Sequence, residues 1–184
     1  MIVQIEEIAR LNQIIDDLLF LSRAEVNAVN LAREPVDVRA FLDAFHPDAQ
    51  ALAEHHGLHL DYHSDAHGEA AIEGKWIRQV LLNVLSNAIK VSPAGSTIRL
   101  NSRTVDGVWR VEICDQGPGV PPEDLERIFE RFVRLNTGIL SEIAGSGLGL
   151  AISRGIIRLH GGRIYAVRRK QGLCVAFEIP LEFE

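Results

Sequence analysis

The stretch GSGLGLAIS, residues 145–153, sets three glycines at alternate positions and then runs straight into an apolar, helix-like segment. Glycine at the mouth of a helix lets a ligand approach the backbone, and the free N–H groups of a helix N-terminus favour anions. The pattern therefore points to a phosphate. It is not a Walker A loop, because no Gly-Lys follows the glycines, and it is not a G-x-G-x-x-G fingerprint, because Leu150 stands at the sixth position. The glycines alone decide little, and the residues elsewhere in the chain carry the reading.

The segment QVLLNVLSNAIK (79–90) has one helical face of Val80, Leu81, Val84, Leu85 and Ala88. Gln79, Asn83 and Asn87 fall four apart, with Lys90 three further on, so they share one polar stripe. Asparagine in a helix interior costs up to ~0.7 kcal/mol relative to alanine, and Glu or Lys would fill a merely solvated face better. An amide oxygen is a good neutral ligand for a magnesium ion that already carries phosphates, and lysine supplies a point charge for those phosphates. The segment VEICDQGPGV (111–120) reads as a strand ending in Asp115 that turns through Gly117 and Gly119. Asp before Gly-Pro-Gly is also ordinary turn chemistry. As a recognition group, an ionised carboxylate only accepts hydrogen bonds, so it would take the adenine amine and repel the guanine carbonyl.

Composition narrows the classes. With 184 residues, 47% apolar and 24% charged, the chain has room for one ordinary domain with a real core and a small extra piece. A net charge of −6 argues against a nucleic-acid platform. No apolar run approaches a membrane span, and the N-terminus lacks a signal-peptide pattern. Cys114 and Cys174 sit in apolar, strand-like surroundings without metal spacing, and read as buried reduced thiols of a cytosolic protein. The histidine run His55, His56, His59, His63 and His67 leaves only His59 and His63 on one strand face, and reads as a solvated edge rather than a metal site.

Along the chain, QIEEIARLNQIIDDLLFLSRAE (4–25) predicts a helix whose apolar stripe (Ile8, Leu11, Ile15 and Leu18, widened by Ile5, Ile14 and Leu19) is broad enough for a helix bundle with a partner from another chain. Pro35 breaks the pattern, and a compact domain begins near residue 34. Helices are predicted over 38–56, 75–91 and 148–160. Strands are predicted at 58–63, 96–104, 108–115, 163–169 and 173–180, with a long loop over 116–147. Neighbouring strands joined as hairpins make this an α+β fold, a two-layer sandwich with a mixed, largely antiparallel sheet.

At this point the chain resembles the catalytic, ATP-binding part of bacterial sensor histidine kinases, of the superfamily shared with gyrase and heat-shock chaperones. The family's N box is similar to NVLSNAIKVSP (83–93), its G1 box to DQGPG (115–119), its F box to IFERFVR (128–134) and its G2 box to GSGLGLAIS; LHGG and FEIP follow in order. Details such as DDLLFLSRAE and LAREPVDV resemble membrane-bound sensors of metals or envelope stress. The resemblance implies a Bergerat-type ATP-binding fold over 34–184, with 1–33 as the second helix of a dimerisation bundle. It implies that Asn87 coordinates Mg²⁺, Asn83 supports it and Lys90 touches the phosphates of ATP. Asp115 would take the adenine amine, with Gly117 and Gly119 letting the base lie close. Phe129 and Phe132 would anchor a lid over 134–147, Arg134 would reach phosphate, and Gly145, Gly147, Leu148 and Gly149 would close the lid and aim the following helix at the triphosphate. The implied partners are a response regulator and either the missing bundle helix or a second protomer, and the implied place is the cytoplasmic portion of an inner-membrane sensor.

The family transfers the γ-phosphoryl group to a histidine in a His-Glu/Asp-x-x-x-x-Pro pattern, and none of the seven histidines stands in one. The chain is thus expected to be part of a longer kinase that binds ATP without phosphorylating itself on histidine. Asn83 carries an amide where ATP-hydrolysing relatives place a glutamate base, which implies slow free hydrolysis. Val91 stands where many relatives carry an aromatic, Lys75 where an aspartate is common, GLCVAF lacks the usual hydroxyls, and the lid stretch NTGILSEIA is unusually apolar. A serine-directed kinase of the anti-sigma type and a catalytically silent docking module are the rival readings.

Overall fold

The computed structural model describes residues 2–135 and 146–182, with side chains from residue 5. Its elements run α1 (Ile2–Glu25), β1 (Glu34–Asp37), α2 (Val38–His55), β2 (His59–Asp65), β3 (Glu69–Ile72), α3 (Gly74–Val91), β4 (Thr97–Val105), β5 (Val108–Cys114), two 3₁₀ turns (Pro122–Asp124 and Arg127–Phe129), α4 (Gly149–Leu159), β6 (Arg163–Arg168) and β7 (Leu173–Pro180). The main sheet has the order β2-β4-β5-β7-β6, with β2 parallel to β4 and every other pairing antiparallel. Helices α2, α3 and α4 supply the layer that buries one face of it. The predicted mixed, two-layer sandwich is what forms.

Alternation explains the layering. Along β4, Ile98, Leu100 and Ser102 are buried while Arg99 and Arg103 are exposed. On α3 the buried positions Ile77, Val80, Leu81, Val84, Leu85, Ala88 and Ile89 repeat at helical spacing. Each of the Ile, Val and Leu side chains among them contributes about 1.5–3 kcal/mol through burial. Trp109 is fully buried beneath them, edge-on to Phe41 and Phe177, and its indole N–H donates to Ser102 Oγ at 2.9 Å. Asp37 starts α2 by accepting the Ala40 N–H at 2.7 Å.

The sequence reading omitted β1 and β3, which pair antiparallel as a separate two-stranded ribbon from Glu34↔Ile72 to Asp37↔Glu69. Each has four residues, too few for a period-2 pattern to stand out.

The cysteine reading is overturned: Cys114 and Cys174 are joined as a disulfide. They lie 60 residues apart in sequence, but the β5–β7 register sets them directly opposite one another. Sequence spacing cannot reveal a cross-strand pairing of this kind.

The broad stripe of α1 is divided between two environments. Leu21 is buried, Ile14 and Leu18 pack against the core, and the Phe20 ring stacks on Trp76 at 4.8 Å. Glu25 pairs with Arg131. Ile5, Ile8, Leu11, Ile15 and Leu19 remain between 49% and 65% exposed, a row too apolar for a finished surface. Among the described residues, no helix is long and apolar enough to cross a membrane.

Candidate functional site

A cavity of about 400 Å³ opens between α3, the ends of β5 and β7, and the start of α4. Its floor is Ile113, Asp115, Leu173 and Val175, all from the helix-facing side of the two central strands. Asn83, Val84, Asn87, Ala88 and Lys90 form one wall from α3. Arg134, Ser146, Gly147, Gly149 and Leu150 form the rim opposite. Apolar floor and polar wall suit a ligand with one flat, apolar end and one charged end.

Asp115 is 8% exposed, and its Oδ1 accepts two backbone N–H groups, from Gly117 at 2.8 Å and Leu173 at 3.2 Å. Burial pushes its carboxyl above the usual aspartate value, and those two donors oppose the rise. Because both described donors engage Oδ1, Oδ2 is left to accept from a ligand. Close approach holds the turn in place. A Cβ on Gly117 would sit 2.7 Å from the Val91 carbonyl oxygen, and one on Gly172, at φ +81°, would sit 2.0 Å from the Asp115 carbonyl oxygen. Only glycine fits at either position.

The two asparagines differ. Asn83 Nδ2 donates to the Gly149 carbonyl at 3.1 Å and lies 3.4 Å from Ser153 Oγ, while its Oδ1 accepts from Gln79 at 3.3 Å. It fastens the start of α4 to α3. Asn87 lines the cavity, and among the described residues its amide makes no hydrogen bond. That free amide oxygen, with Lys90 one turn on, fits a hydrated magnesium ion carrying phosphates. Gly149 and Leu150 at the start of α4 line the same space, which adds the anion preference of a helix start.

Of the predicted residues, Asn83, Asn87, Lys90, Asp115, Gly119, Arg134, Gly147 and Gly149 line the cavity together. Gly117 and Leu148 do not. Gly117 lies behind Asp115, and Leu148 is fully buried as the apolar anchor of α4. Gly145 and most of the expected lid, 136–145, fall outside the described residues. The two ends of that segment are tied: the Phe132 N–H donates to the Gly147 carbonyl at 3.0 Å. Phe129 is buried, but Phe132 is 56% exposed. Sequence reasoning missed Gln13 and Asp17, which reach the cavity mouth from α1 and bond each other at 2.8 Å. Their four-residue spacing was visible, but the packing of α1 on α4 was not.

The comparisons agree with this geometry. Residues 72–183 match the model of the histidine kinase-, DNA gyrase B-, and HSP90-like ATPases. The probable sensor protein PcoS of Escherichia coli is 33% identical over 177 residues, covering 96% of this chain and 37% of that protein. The sensor histidine kinase CusS of Escherichia coli K12 is 30% identical over 176 residues, covering 96% of this chain and 36% of its own length. The structure of full-length ShkA in complex with AMPPNP superposes with a TM-score of 0.80 at 29% identity, over 95% of this chain and 36% of that one. The chain thus spans little more than a third of these curated relatives. The family model covers well over half of the chain, and the chain belongs to the histidine kinase-, DNA gyrase B-, and HSP90-like ATPase family.

Proposed function

We propose that this chain is the ATP-binding catalytic portion of a two-component sensor histidine kinase, and that it positions Mg-ATP for γ-phosphoryl transfer to a histidine outside these 184 residues. The observation that carries the reading is Asp115, its Oδ1 fixed by two backbone donors and its other oxygen available to an adenine amine. Kinship with named sensor proteins supports it over a serine-directed kinase or a docking module.

Catalysis in such enzymes is mainly positioning and charge neutralisation. Asn87 would hold the magnesium ion, which supplies charge neutralisation at the phosphates. Asn83 would keep α4 aligned, Lys90 and Arg134 would meet phosphate oxygens, and Gly147 and Gly149 would admit the triphosphate to the start of α4. The exposed row Ile5, Ile8, Leu11, Ile15 and Leu19 would be covered by another bundle helix or a second protomer, and the phosphoryl group would pass on to a response regulator. We place this machinery at the cytoplasmic side of a membrane-bound sensor.

The test is incubation of the purified chain with γ-labelled Mg-ATP beside displacement of a fluorescent ATP analogue. The expected result is saturable displacement by ADP, slow release of phosphate and no acid-labile phosphate on the chain itself. Failure of ADP to displace the analogue contradicts the reading.

A further inference from the structure

The disulfide occupies the back of the nucleotide pocket. Ile113, Asp115, Leu173 and Val175 face the cavity, so Cys114 and Cys174, which alternate with them, project from the other face of the same two strands. Their cross-strand neighbours on that outer face are Arg99 beside Cys114 and Val167 beside Cys174, both exposed. Among the described residues the helices pack on the opposite face, and the outer face is covered only by side chains of the sheet, which leave the sulfurs little exposed. Cys114 keeps 9% exposure and Cys174 only 1%. The two sulfurs also differ electrically. Arg169 Nε lies 3.1 Å from Cys174 Sγ, so a guanidinium waits beside one sulfur of the pair.

We propose that Cys114–Cys174 is a thiol–disulfide exchange site for a dithiol reductant, and that its redox state sets the grip of the nucleotide pocket on the opposite face. This rests on the reading of the cavity as a nucleotide site. A protein that uses ATP works among thiol reductants, where disulfides are usually transient and redox-sensing.

The chemistry has a direction. A thiolate of the dithiol attacks the more exposed Cys114 Sγ, the S–S bond breaks, and its electron pair leaves on Cys174 Sγ as a thiolate held by Arg169. A better-stabilised leaving thiolate leaves faster. The second thiolate of the dithiol then attacks the dithiol sulfur of the mixed disulfide and releases Cys114. The dithiol ends as a cyclic disulfide, oxidised by two electrons, and the protein ends with two thiols that have taken up the two protons the dithiol gave. Reoxidation by a disulfide reagent reverses each step.

Coupling to the pocket is one residue long. Next to the cysteine pair, the Asp115 N–H donates to the Leu173 carbonyl at 2.9 Å and the Leu173 N–H donates to Asp115 Oδ1 at 3.2 Å. Gly172 lies so close that a Cβ there would strike the Asp115 backbone. Once the bond is cut, the sulfurs separate to van der Waals distance. Both side chains are packed, so the strand ends must give way. The groups that move are those that aim the Asp115 carboxylate.

The experiment compares the chain oxidised with a disulfide reagent and the same chain treated with dithiothreitol, by calorimetric titration with Mg-ADP. Thiols in each state are counted by alkylation and mass spectrometry. Native reduction should expose both cysteines to alkylation and raise the Kd for Mg-ADP by about tenfold. The double variant Cys114→Ala/Cys174→Ala should bind at the reduced-state affinity whatever the reductant. Arg169→Gln should slow reduction severalfold and leave the oxidised-state Kd unchanged; a purely structural role for Arg169 would move the Kd instead. Equal Kd values in the two states overturn the coupling, and alkylation that needs denaturant overturns the exchange site. If neither state binds ADP, the nucleotide reading fails and the coupling falls with it, while dithiol-dependent alkylation still reports on the exchange site separately.

Discussion

Asp115 and Leu173 hold each other by two hydrogen bonds: the Asp115 N–H donates to the Leu173 carbonyl at 2.9 Å, and the Leu173 N–H donates to Asp115 Oδ1 at 3.2 Å. One is a strand-end pairing and the other fixes a carboxylate. A side chain held this way has lost its rotamer freedom before any ligand arrives, which lowers the cost of ordering it on binding.

Asp115→Asn keeps an oxygen for the Gly117 and Leu173 donors but turns an NH₂ toward the ligand, donor against donor. Hydrogen bonds to charged groups contribute about 1.5–3 kcal/mol, so the Mg-ADP affinity should fall by roughly 10- to 150-fold with the melting temperature little changed. Calorimetry beside a thermal melt checks both halves. Because burial raises the Asp115 carboxyl above 3.8, ADP binding should also weaken on acidification before an ordinary aspartate would protonate.

The two asparagines should separate in the same assays. Asn83→Ala removes the ties to Gly149 and Ser153 that fasten α4 to α3, although Ser153 Oγ still donates to the Gly149 carbonyl, and should cost about 1 kcal/mol of stability as well as affinity. Asn87→Ala breaks no bond among the described residues, so the unfolding midpoint should hold while the magnesium dependence of ATP binding disappears. Denaturant titration and binding with and without magnesium distinguish them.

Glu178 lies on the outer face of the sheet, where its carboxylate takes Arg110, Arg163 and Tyr165 together. Burial pushes the carboxyl up, but those donors outweigh it and hold it below 4.5. A depressed acid pKa contributes stability that is fully present above the unfolded value and is lost as pH falls through the folded one. Glu178→Gln should therefore cost about 2 kcal/mol at pH 7 and flatten the decline in stability below about pH 4.5. Urea unfolding at several pH values measures it.

His160 gives a second pH dependence, nearer neutrality. Its Nε2 accepts the Glu73 backbone N–H at 3.1 Å, so the ring proton sits on Nδ1 and is donated to the Ile156 carbonyl at 2.7 Å. Burial pushes the ring's pKa below 6.5, which keeps it neutral. For a base held low, stability is full above the unfolded pKa and declines as pH falls below it toward the folded value. Between pH 7.5 and 5.5 the wild-type chain should lose stability that His160→Gln does not lose.

How much could be read beforehand depended on the range of each interaction. The apolar face of α3 and the polar stripe Asn83, Asn87, Lys90 are local consequences of helical periodicity, and the structure reproduces them. Asp115 was legible because a strand, an acid and two glycines follow one another in the chain. The Cys114–Cys174 pairing was not, since it depends on strand order across 60 residues. The four-residue strands β1 and β3 were too short to show alternation. Gln13 and Asp17 were hidden because their role depends on Phe20 meeting Trp76 and Leu21 packing inward, contacts between segments more than 50 residues apart. Leu148 buries its side chain in the core, a long-range contact that the sequence pattern alone does not show.

The most direct measurement is a calorimetric titration of the oxidised chain with Mg-ADP and, separately, with Mg-GDP, each repeated on Asp115→Asn. Saturable ADP binding, with GDP weaker by at least tenfold and ADP binding at least tenfold weaker in the variant, is the expected result. Equal binding of both nucleotides, or an ADP affinity unchanged in Asp115→Asn, would contradict the assignment of Asp115 as the adenine-reading group.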